Sequence, residues 1–140
     1  MTATFASVDD LLAAARAGLE RFTPTQARDR VARGSLIVDI RPAWQRRVDG
    51  EIPGSVIVER NHLEWRLHPA SGASLARATD GQEWIVVCTE GYTSSLAASA
   101  LVSLGLPASD IVGGIHAWRA AGLPVVPGPT AIEHQVVAVS

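Results

Sequence analysis

The sequence predicts an α/β fold, a parallel sheet with helices on both faces, from two observations. Three short runs, Leu36-Ile37-Val38-Asp39-Ile40, Val56-Ile57-Val58 and Ile85-Val86-Val87, are β-branched and apolar, as strands buried on both faces require. Stretches of helical periodicity alternate with them, and that alternation demands crossover connections between parallel strands. At 140 residues the chain is one domain, long enough to bury a core without disulfides or metal.

At the start, Ser7 and Asp10 have the spacing of a capping box ahead of LLAAARAGLERF, where Leu11, Leu12, Ala15, Leu19 and Phe22 trace a helical stripe. Residues 1–22 are therefore expected to form a helical extension packed on the domain. Thr23-Pro24-Thr25-Gln26 is a stronger start signal, with Thr23 as N-cap, Pro24 in the first helical position and Gln26 three residues after the cap. That helix is expected to run to about Arg33 and stop at Gly34. The strand run from Leu36 ends in a charge, and Pro42 prevents it from continuing, so Asp39 and Arg41 lie at a strand's end. A turn-rich segment, Gly50 to Ser55, leads to Val56-Ile57-Val58, after which Glu59, Arg60, Asn61 and His62 cluster. A helical turn is expected over Leu63 to Leu67 and a loop from Gly72 to Gly81.

The stretch WIVVCTEGYTSSLAASALVSL, from Trp84 to Leu104, holds the only cysteine, Cys88. Cys88 sits where a buried strand gives way to a tight loop containing Gly91. Thr93 and Ser94 are good N-caps for the helix that follows, and Gly105 ends it. A sulfur at such a junction faces free N–H groups and the positive end of a helix dipole, which favour negative charge on it. Asp110-Ile111-Val112 is a further strand, and Gly113-Gly114 opens a helix from Ile115 to Ala121 that Gly122 and Pro124 stop. Beyond Pro127-Gly128-Pro129, residues 127–140 are expected as a tail or an added edge strand.

Composition excludes several function classes. With 12 basic and 14 acidic side chains, nothing points to a nucleic-acid partner. All the basic residues are arginine, which excludes Schiff-base lysine chemistry and a phosphate-loop lysine. A single cysteine excludes an internal disulfide and a CxxC redox pair, and His62, His68, His116 and His134 have no metal-ligand spacing, so no metal is expected. MTATFASVDDLL has neither a basic n-region nor an apolar core, and no apolar run is long enough to span a bilayer; a cytoplasmic protein without a membrane partner is expected.

Four motifs in order, Asp39-Ile40-Arg41, Gly50-Glu51-Ile52-Pro53-Gly54-Ser55, the loop from Cys88 to Ser94, and Gly113-Gly114 with Trp118, Gly122 and Pro124, resemble a single-domain rhodanese over roughly residues 23–126. The resemblance implies a five-stranded, mostly parallel sheet and a sulfurtransferase that needs no cofactor. Cys88 would take up a sulfane sulfur as a persulfide and pass it to an external thiol or other nucleophile. Amides from Glu90 to Ser94, with the hydroxyls of Thr93 and Ser94, would stabilise the persulfide anion within the loop Thr89, Glu90, Gly91, Tyr92, Thr93 and Ser94. Asp39, Arg41 and Arg60 are expected to touch substrate or to support the loops. The sulfur donor would be a small molecule or a protein-borne persulfide.

Two departures from the family pattern stand out. Glu51 occupies a position where histidine is usual. Thr89, Glu90 and Thr93 stand where thiosulfate-using relatives tend to place basic residues, which makes thiosulfate a poor donor unless Arg41 or Arg60 supplies the charge. A catalytically silent binding or regulatory module is the alternative. A related phosphatase is disfavoured, because Ser94 stands where its loop-closing arginine would be.

Overall fold

A computed structural model describes residues 4–131. Five strands form one sheet, β1 (Arg21–Phe22), β2 (Leu36–Asp39), β3 (Val56–Ile57), β4 (Trp84–Val87) and β5 (Ala108–Ile111), in the order β1-β5-β4-β2-β3. Every pairing between them is parallel. The helices are α1 (Val8–Ala17), α2 (Pro24–Val31), α3 (Ala43–Asp49), α4 (Leu63–Leu67), α5 (Thr93–Ser103) and α6 (Gly114–Ala120), with a 3-10 turn at Arg60–His62 before α4.

Side-chain alternation along the strands divides the core in two. Val38, Val56, Trp84 and Val86 face one way, against Leu63 and Leu67 of α4 and Ala97 and Leu101 of α5. Ile37, Ile85, Val87 and Ile111 face the other way, against Ala27 of α2 and Ile115 and Trp118 of α6. Burial of each large apolar side chain contributes about 1.5–3 kcal/mol, which explains why strands of two to four residues hold in this sheet. Helices therefore cover both faces, as the strand–helix alternation requires. Among the described residues no helix is long and apolar enough to cross a membrane.

Local signals decide some of these elements and tertiary pairing decides others. Thr23 and Gln26 form the full capping box, with the Thr23 Oγ1 accepting from Gln26 N and the Gln26 side chain accepting from Thr23 N. At Ser7 the side chain accepts from Asp10 N. The first helix is shorter than its stripe suggests: it ends at Ala17, and Arg21-Phe22 forms edge strand β1 beside β5. Phe22 thus belongs to the core by strand pairing, which outweighs the helical spacing of five apolar residues. Thr93 and Ser94 lie inside α5 rather than capping it; its N-cap is Tyr92, which makes no side-chain cap bond. Helix α3 had no sequence signal, since its seven residues, with Trp44 and Val48 on the exposed side, show no apolar period. At the other end, Glu51 and Val126 form an isolated antiparallel bridge, while residues 132–140, expected as tail or edge strand, lie outside the described residues.

Strand order reverses between β2 and β4: from β2 the chain moves outward to β3, then crosses back to β4. Splayed connections at such a reversal leave a crevice at the strands' carboxyl ends.

Candidate active site

The crevice is a cavity of about 330 Å³, lined by Ile40, Arg41 and Pro42 after β2, Gln45 of α3, Arg60 after β3, and Cys88, Thr89, Glu90, Tyr92 and Thr93 after β4. The loop expected to handle the sulfur and two of its three expected supporting residues therefore converge on it, although they are far apart in sequence. Asp39 is the exception. Its carboxylate is fully buried and grips Arg41 through Nε at 3.0 Å and Nη2 at 2.6 Å, besides accepting from Arg41 N at 3.0 Å.

Cys88 is 7% exposed at the base of the cavity. Its Sγ accepts from the main-chain N–H of Gly91 at 3.2 Å and of Ser94 at 3.4 Å. This geometry needs Gly91, whose φ of +87° turns the loop back over the sulfur. Any side chain there would also collide with the chain behind, since a Cβ would lie 2.8 Å from Gly113 N. Gly114 matters equally: at φ +60°, a Cβ would sit 2.5 Å from the carbonyl oxygens of both Cys88 and Thr89. Those two carbonyls accept from Ile115 N and His116 N at the start of α6, so the Gly113-Gly114 pair brings α6 against the back of the sulfur loop.

The loop side chains play different parts. Ser94 offers its main-chain N–H to the sulfur, but its hydroxyl donates to Asp110 Oδ2 at 2.7 Å and is not available to a persulfide. Thr89 Oγ1 donates to Gln45 Oε1 at 3.0 Å across the cavity, while Thr93, Glu90 and Tyr92 are exposed at its rim. Glu90 puts a negative charge at the entrance.

The two arginines do not offset that charge freely. Arg41 is 1% exposed and committed to Asp39, and its Nη2 also donates to Gly50 O at 2.7 Å. Arg60 is paired with Glu64 one helical turn away, its Nη1 lying 2.9 and 3.0 Å from the two carboxylate oxygens. Each guanidinium on the cavity wall thus has a carboxylate of its own.

Sequence reasoning did not find Gln45 or Asp110. Gln45 sits on α3, the helix without a periodic signal, and Asp110 reads as part of a strand. Asp110 is nevertheless a fully buried charge, accepting from Arg21, Ser94 and Ser95 directly behind the loop. Trp118 is core, its Nε1 donating to Pro124 O at 2.8 Å, whereas Trp65 lies on the surface away from the cavity.

Glu51, the residue at the unusual position, is also buried and away from the cavity. It accepts from Arg46 Nη1 at 2.7 Å and from Thr130 N at 2.9 Å, and Thr130 Oγ1 donates to its other oxygen. Burial raises its pKa, but the Thr130 and Arg46 hydrogen bonds and the Arg46 charge outweigh that and hold it below the ordinary value. It fastens the segment after Val126 to the domain.

Known proteins resemble this chain to different extents. The Zea mays protein named adenylyltransferase and sulfurtransferase MOCS3-1 is 37% identical over 84 residues, which are 59% of this chain and 18% of that protein. Adenylyltransferase and sulfurtransferase UBA4 of Yarrowia lipolytica is 30% identical over 98 residues, 70% of this chain and 23% of it. The chain thus spans about a fifth of the length of the curated relatives it matches. A solved structure from Rhodopseudomonas palustris, of unknown function and described as a possible tyrosine phosphatase, is 32% identical with a TM-score of 0.79, over 90% of this chain and 99% of that one. Thiosulfate sulfurtransferase from Pseudomonas aeruginosa shares the fold at 24% identity and a TM-score of 0.62, over 82% of this chain and 21% of its own. The pattern of the rhodanese-like domain matches residues 23–121, from the capping threonine of α2 to the end of α6, and the chain belongs to that family.

Proposed function

We propose that the protein is a sulfurtransferase that carries a sulfane sulfur as a persulfide on Cys88 and delivers it to an external thiol. The observation that carries this reading is the pair of main-chain amides, Gly91 N and Ser94 N, directed at a sulfur on the floor of an open cavity. Fixed N–H dipoles need no reorganisation as negative charge moves onto the outer sulfur. Of the two activities in the names of the Zea mays and Yarrowia lipolytica relatives, sulfur transfer is the one a lone cysteine in this setting supports.

In the first step the Cys88 thiolate attacks the outer sulfur of a donor persulfide. The donor's S–S bond breaks, its thiolate leaves with the electron pair, and Cys88 gains a terminal S⁻. In the second step an acceptor thiolate attacks that terminal sulfur, and Cys88 thiolate is released. No net electrons are exchanged, so neither an oxidant nor a second cysteine is needed.

The donor is a persulfide on a small thiol or a protein rather than thiosulfate. Glu90 repels a dianion at the entrance, and Arg41 and Arg60 are each already paired. A phosphatase reading is disfavoured on the same geometry, because Ser94 stands at the loop-closing position and its hydroxyl is held by Asp110.

The test is intact-mass spectrometry after exposure to a panel of donors. A gain of one sulfur from a low-molecular-weight persulfide is expected, reversed by added thiol and absent in Cys88→Ser. A protein that never gains sulfur from any donor is instead a silent binding module.

A further inference from the structure

An anion held by main-chain amides needs the carbonyl oxygens of the same loop turned away, because an oxygen lone pair beside a charged sulfur is repulsive. Main-chain donors secure three of them: Ile115 N holds Cys88 O at 2.9 Å, His116 N holds Thr89 O at 3.2 Å, and Ser95 N holds Tyr92 O at 3.1 Å. Glu90 O and Gly91 O have no main-chain donor among the described residues, and of these two Gly91 O is the one that side chains hold. It accepts instead from two guanidinium groups, Arg16 Nη2 at 2.7 Å and Arg21 Nη2 at 3.1 Å, with Ser95 Oγ farther off at 3.4 Å. Arg16 belongs to α1 and Arg21 to β1, and both precede the residues that match the family pattern.

The two cations are not equivalent. Arg21 is neutralised by the buried Asp110, with Nε at 2.8 Å and Nη2 at 3.2 Å from its two oxygens. Arg16 donates through Nε to Ser95 Oγ at 3.0 Å and through Nη2 to the loop, and it pairs with no carboxylate among the described residues. Its Cζ lies 6.0 Å from the centre of the Tyr92 ring, so the loop tip rests on it as well. Arg16, Arg21 and Asp110 together therefore leave one net positive charge at the Gly91 carbonyl.

We infer that α1 is part of the sulfur site, with Arg16 a positioning residue that holds the Gly91 carbonyl outward and supplies the uncompensated positive charge favouring an anion at Cys88. This rests on the sulfurtransferase reading for its use but not for its measurement. Glu90 then selects against dianionic donors on entry, while Arg16 favours the anion once it is bound. The device lies outside the family pattern, in a helix that buries no side chain completely, so removing the charge leaves the core untouched.

Cys88 is the only cysteine, so alkylation reads this site alone. The measurement is the ratio of its alkylation rate by anionic iodoacetate to that by neutral iodoacetamide at one fixed pH, in the whole chain. Loss of the cation in Arg16→Met or Arg16→Gln should lower that ratio about threefold or more, whereas mere loosening of the loop would change both rates alike. Circular dichroism identifies which variants are folded, and either one suffices. An unchanged ratio in a folded variant overturns the inference. Sulfur loading of the wild-type protein with an unchanged ratio removes only the part assigned to Arg16; a lowered ratio without loading by any donor keeps that part and removes the sulfurtransferase reading.

Discussion

The Asp39 carboxylate and the Arg41 guanidinium meet through two hydrogen bonds, at 3.0 and 2.6 Å, with neither side chain exposed to water. Two residues apart at the end of β2, they close the turn into α3 and fix one wall of the cavity. A buried pair of this kind offsets its own desolvation only while both partners are present. Asp39→Asn keeps the shape and leaves the Arg41 charge buried and unmatched, so a loss of about 3 kcal/mol is expected in urea denaturation. A loss below about 1 kcal/mol would mean that water reaches Arg41 and that the turn does not depend on the pair.

Glu90 lines the entrance and is exposed, so its charge can be reversed without disturbing the core. Glu90→Arg should raise kcat/KM for thiosulfate with cyanide by about fivefold or more, and the gain should shrink in high salt. Unaltered thiosulfate kinetics would show that Glu90 does not govern which donors enter.

At Gly114 a methyl group would press on the carbonyl oxygens of Cys88 and Thr89 at 2.5 Å. Since both oxygens are main-chain atoms, the loop or α6 must shift. Gly114→Ala should cost on the order of 2 kcal/mol in stability and lower Cys88 sulfur loading by more than stability alone explains. Gly54→Ala, also at positive φ but with nothing near its Cβ, is the control and should leave loading intact.

The Glu51 carboxyl is held below its ordinary pKa of 4.5, so the folded state keeps it ionised where the unfolded chain has begun to take up a proton. Its contribution to stability is complete above pH 4.5 and is lost as the pH falls through the lowered folded value. The stability difference between the wild-type protein and Glu51→Gln should therefore be largest near neutrality and shrink in acid, measured by denaturant melts across that window. A difference independent of pH would assign the effect to lost packing around Thr130 and not to charge.

Much of the chain could be read in advance. Thr23 and Gln26 cap α2 through atoms three residues apart, and β2 and β4 announce themselves as unbroken β-branched runs, because capping and strand burial depend on near neighbours. The same reasoning located Cys88 at a strand's end ahead of a glycine loop. Arg21-Phe22 is not legible as a strand, since two residues cannot display a period and their strand exists only through pairing with β5.

By itself, then, the sequence determined the α/β class, the strand–loop–helix around Cys88 and the supply of arginine without lysine. Tertiary structure alone decided which arginines are spent and which are left over. Arg41 and Arg60 find carboxylates close by in the chain, whereas Arg16 and Arg21 reach Gly91 across separations of 75 and 70 residues. The physical reason is that local patterns fix backbone states, while the net charge around the sulfur depends on groups that only folding brings within hydrogen-bond distance.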